Sequence, residues 1–151
     1  MKRKGFTLIE LMTVVTVIAI LSSGMMLSSG PVTDSAKAAT LVADLRTSKA
    51  AGVMWLVDNI ELPFADIMTK WNGLNADKTP FENYLDNRDK VGGLLFVTVT
   101  DSNGTAFLIG RKESDRKVLE KAINQAYGVL CRANGTQPVE PDDGEVYVRV
   151  R

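Results

Sequence analysis

The chain has no histidine and one cysteine, Cys131, among its 151 residues. Without histidine the commonest general base and the commonest metal ligand are missing. A single cysteine forms neither an internal disulfide nor a thiolate zinc cluster. Most familiar catalytic and metal centres are thereby excluded; no cofactor, resident metal or catalytic residue is expected. Charge of one sign is also lacking, since 18 Lys and Arg offset 18 Asp and Glu. Lys2, Arg3 and Lys4 supply three of the positives, which leaves the rest of the chain with three more acids than bases. A dedicated nucleic-acid binder carries the opposite balance, so no specific nucleic acid is expected as a partner. What is present, 45% hydrophobic and 24% charged residues in one domain's length, is the balance of a chain that folds.

The amino terminus holds one long hydrophobic run. Phe6–Leu27 spans 22 residues with Glu10 as its only charge, and as a helix it reaches about 33 Å, roughly the thickness of a bilayer core. Lys2-Arg3-Lys4 precedes the run and Asp34 is the first charge after it, so the positive-inside rule places the amino terminus in the cytoplasm and residues 31–151 outside it. The apolar core of a secretory signal peptide is shorter, about 7–15 residues. A plain single-pass anchor does not explain Glu10, because a carboxylate inside hydrocarbon costs about 2.5–3.5 kcal/mol and usually marks function. Glu10 needs a partner.

The residues Lys4-Gly5-Phe6-Thr7-Leu8-Ile9-Glu10-Leu11-Met12 resemble the processing site of type IV pilins and the related pseudopilins. The resemblance implies that a membrane prepilin peptidase and methyltransferase cuts between Gly5 and Phe6 and methylates the new amine of Phe6. It also implies that Glu10, fifth in the mature chain, pairs with the terminal amine of a neighbouring subunit during filament assembly. Pairing is physically sound, because a lone carboxylate and a lone ammonium are each costly in an apolar medium and much less so together. The fold implied is α+β and type IV pilin-like, with a long amino-terminal helix packed on a small antiparallel sheet.

The remainder of the sequence fits that outline. Ser28-Ser29-Gly30-Pro31 predicts a weakened or kinked helix, because proline lacks an amide donor and disfavours helix in the residue before it; if Pro31 breaks the helix, Thr33 or Asp34 caps the restart. Ala38, Val42, Leu45, Gly52, Val53 and Leu56 form an amphipathic stripe that continues the helix to about Asn59. Phe64, Ile67, Met68 and Trp71, then Phe81, Tyr84 and Leu85, predict two short helices between the breakers Pro63, Asn72-Gly73, Thr79-Pro80 and Gly92-Gly93. Leu94–Thr100 and Thr105–Gly110 read as strands joined at a tight Asn103-Gly104 turn. Leu119, Ala122, Ile123, Ala126 and Leu130 predict a helix over residues 114–133, capped by Ser114 or Asp115 and stopped at Asn134-Gly135. Glu145–Arg151 alternates valines with Tyr147, Arg149 and Arg151, the pattern of a half-buried strand. The order is β-β-α-β. The chain is thus read as a leader (1–5), a membrane and filament-core half of the first helix (6–30), its amphipathic half (31–59), a connecting region (60–93) and a sheet-containing head (94–151).

Four features admit a sharper reading and a plainer one. Glu140, Asp142, Asp143 and Glu145 could hold calcium, but they lack the ligand order of a calcium loop and read as a solvated acidic turn. Arg111, Lys112, Arg116, Lys117 and Lys121 are a basic concentration blunted by Glu113, Asp115 and Glu120. The sequons at Asn103 and Asn134 coincide with turns, which already account for those residues. Cys131 reads as a buried thiol. Many type IV pilins close a carboxy-terminal loop with a disulfide, and a lone Cys131 departs from that pattern, so the loop must be held another way.

The resemblance implies a structural subunit without enzymatic activity. As a type IV pilin it would serve an adhesion, motility or DNA-uptake fibre, with the prepilin peptidase, copies of itself and an inner-membrane assembly platform as partners. It would begin as a single-pass precursor in the cytoplasmic membrane, amino terminus inside, and end in a surface filament. A pseudopilin of a type II secretion system would show the same amino terminus, and a membrane-anchored periplasmic binding domain is the alternative of another class.

Overall fold

The computed structural model describes residues 6–101, 104–135 and 139–150, excepting the side chains at 24–31 and 101. Helices α1 (Leu8–Asp58), α2 (Phe64–Gly73) and α3 (Thr79–Glu82) and a 3-10 turn (Arg88–Gly93) are followed by strands β1 (Leu94–Asp101) and β2 (Gly104–Lys112). Helix α4 (Arg116–Gln125) and strands β3 (Leu130–Cys131) and β4 (Glu145–Arg149) complete the chain. The architecture is α+β, with one antiparallel sheet in the order β1-β2-β4-β3. Two units divide between Asp34 and Ser35.

In the first unit α1 runs on as helix through Gly30 and Pro31, without a restart at Thr33 or Asp34. Part of the usual clash with proline comes from the preceding residue's Cβ, which Gly30 lacks. Every described side chain from Phe6 to Ser23 is exposed.

The second unit holds the core. On α1 the buried line is Ala38, Leu41, Val42, Leu45, Ser48, Ala51 and Trp55, the spacing of one helix face. Val53, assigned to that face by the sequence, is 43% exposed instead. Gly52 brings α1 close to the sheet, since a Cβ there would meet Ile109 Cδ1 at 2.8 Å. Short helices form in both expected places, α2 burying Ile67 and Trp71 and α3 burying Phe81, but α3 ends at Glu82 and leaves Tyr84 and Leu85 beyond it. Trp71 is wholly buried in edge-on contact with Trp55, Phe96 and Phe107, at centroid distances of 5.4, 5.4 and 5.3 Å.

Three expectations for the sheet region need correction. Helix α4, capped by Asp115 through the amide of Lys117 at 3.0 Å, stops at Gln125 rather than Ala133. Gly128 takes a left-handed φ of 80° and turns the chain, so Leu130 and Cys131 form a strand paired with Val148 and Tyr147. The head is accordingly β-β-α-β-β. Asp101 pairs with Gly104, so Gly104 is the first residue of β2 rather than part of the turn; Ser102 and Asn103 lie outside the described residues. Strand β4 is not half-buried: Val146 and Val148 face the main core, and Tyr147 is buried on the opposite face with Ala106, Leu108 and Cys131. Its ring covers Gly110, where a Cβ would lie 2.2 Å from Tyr147 Cδ1.

Candidate functional site

The helix start at Leu8 makes Thr7 the residue that caps α1 and Glu10 the third residue of its first turn. Their side chains satisfy each other's backbone. The Thr7 amide donates to Glu10 Oε2 at 2.8 Å, the Thr7 hydroxyl donates to the same oxygen at 2.7 Å, and the Glu10 amide donates to Thr7 Oγ1 at 3.4 Å. This is a capping box, with a carboxylate placed where the helix dipole favours negative charge. Among the described residues both bonds to the carboxylate end on Oε2, leaving Oε1 open. Sequence reasoning singled out Glu10 and passed over Thr7, although the T-x-x-E spacing was the signal for it. Phe6 is 88% exposed. The leader and Gly5 lie outside the described residues.

Beyond Glu10 the helix hides its own polar groups. The hydroxyls of Thr13, Thr16 and Ser23 donate back to carbonyls one turn earlier, at Ile9, Met12 or Thr13, and Ile20, which leaves an apolar surface on every side of that stretch. Leu8, Ile9, Leu11, Met12, Val14, Val15, Val17, Ile18, Ile20 and Leu21 are all more than half exposed. Among the described residues no helix is long and apolar enough to cross a membrane. The span expected over 6–30 falls partly on side chains 24–31, outside the described residues.

The acidic turn is tied to basic side chains. Arg132 reaches Glu140 at 3.1 Å and Asp143 at 2.9 Å, Arg116 meets Asp142 at 3.3 Å, and Lys112 meets Glu145 at 3.3 Å. The Glu140 amide also donates to Asp143 Oδ2 at 2.8 Å, and that bond first, then Arg132, holds the Asp143 carboxyl below its ordinary range. Among the described residues no cluster of three His, Cys, Asp or Glu could hold a metal. The same pairs draw on the basic concentration, whose Arg111 turns to Asp44 of α1 at 2.9 Å beside Lys90 at 2.5 Å. Cys131 is buried in β3, not in a helix, and burial pushes its thiol up, away from reactivity. Of the two sequons, Asn103 and Thr136 lie outside the described residues.

Residues 1–26 match the family described as the prokaryotic N-terminal methylation motif. No curated protein and no solved structure matches the chain. The matched segment contains the capping box and most of the exposed apolar helix, and through it the chain carries the prepilin signature of the type IV pilins and pseudopilins.

Proposed function

We propose that this protein is a structural subunit of a type IV pilus. A prepilin peptidase and methyltransferase removes residues 1–5 between Gly5 and Phe6 and methylates the Phe6 amine. The apolar half of α1, residues 6–30, holds the precursor in the inner membrane and then packs with copies of itself in a helical filament, delivered by an inner-membrane assembly platform. The match of residues 1–26 to the methylation motif carries this reading. Two physical features support it. The side chains of Leu8–Leu21 have no cover within the described residues, so lipid before assembly and neighbouring copies after it supply the apolar surroundings they require. Glu10 keeps Oε1 for the ammonium of a neighbour's Phe6 while Thr7 holds Oε2, so the carboxylate stays satisfied before and after the transfer. The subunit performs no reaction of its own.

A second reading, a pseudopilin of a type II secretion system, is favoured by one feature: Cys131 is alone in the sequence, whereas many pilins close a carboxy-terminal loop with a disulfide. Intact-mass measurement on sheared surface filaments, with negative-stain imaging of the same cells, tests both. A pilus subunit appears in long fibres with the mass of residues 6–151 plus one methyl group. That mass in membranes of cells without long fibres transfers the assignment to the secretion system. An unprocessed chain contradicts both and leaves a membrane-anchored binding domain.

A further inference from the structure

We draw no further inference here: the strongest candidate, the apolar groove between the end of α1 and the start of α2 lined by Val53, Val57, Ile60, Phe64, Phe107 and Val150, is an unpartnered apolar face, and nothing in the structure shows what covers it.

Discussion

At the scale of single residues, the closest constraint lies between β2 and β4. Gly110 pairs with Tyr147, whose ring occupies the space a side chain would need, while the Tyr147 hydroxyl donates to Glu145 Oε2 at 2.7 Å. An alanine at 110 must push a ring that is packed on one side and hydrogen-bonded at its tip. Gly110→Ala is therefore expected to cost about 1–3 kcal/mol, read as a lower denaturant midpoint with an unchanged slope. Gly52→Ala should cost less, because its nearest neighbour, Ile109 Cδ1 at 2.8 Å, is the movable end of a side chain. Asp143 makes a pH-dependent contribution. Its carboxyl is held below the ordinary value in the folded chain, so its stabilisation is present above the unfolded pKa of about 3.9 and is lost as pH falls through the folded value. Asp143→Asn should lower stability by less than about 1 kcal/mol at neutral pH. Melting curves of variant and wild type should begin to converge below about pH 4 and meet as pH falls further through the folded value, where the wild-type carboxylate takes up its proton.

At the scale of elements, the start of α1 is a local device and was legible as one. Thr7 and Glu10 stand three apart, the spacing of a capping box, and the structure joins them directly. Thr7→Val keeps the shape of the side chain and removes the hydroxyl. About 1 kcal/mol of support for the first turn should be lost, seen as faster amide exchange confined to the residues after Leu8. The end of α4 was misread because Leu130 lies in phase with Leu119, Ala122 and Ala126. Periodicity cannot report that Gly128 leaves the helix for a left-handed turn, nor that Leu130 is claimed by Val148 of β4.

At the scale of the whole molecule, the buried residues among those described begin at Ala38 and continue to Val150, and the chain divides before Ser35. A piece covering residues 35–151 is expected to fold alone, because about 120 residues sustain a single core. A cooperative thermal transition with near-ultraviolet dichroism checks this. Reducing agent should leave the midpoint unchanged, since Cys131 has no second cysteine to join. In the proposed filament, assembly belongs to the other unit. Glu10→Ala removes a charge from the apolar run, which favours insertion, and, on the proposed pairing, deprives a neighbour's amine of its partner. Processed subunit should accumulate in membranes while filament yield falls; normal filaments from cells making only this variant would remove Glu10 from its proposed role.

By itself the sequence determined the processing motif, the long first helix, the two short helices, the hairpin and the last strand. Each is written in residues close along the chain: a motif, a period of 3.6 or of two, a cap three residues away. Tertiary structure decided which faces those elements cover. Tyr147 looked like the solvent side of its strand and is buried over Gly110, and Val53 looked like core and is exposed. The deciding contacts join residues far apart in the chain: Asn75 to Phe96 across 21 positions and Asp44 to Arg111 across 67. Local pattern records that a residue prefers burial or a partner; only closure of the chain brings the partner within hydrogen-bond reach.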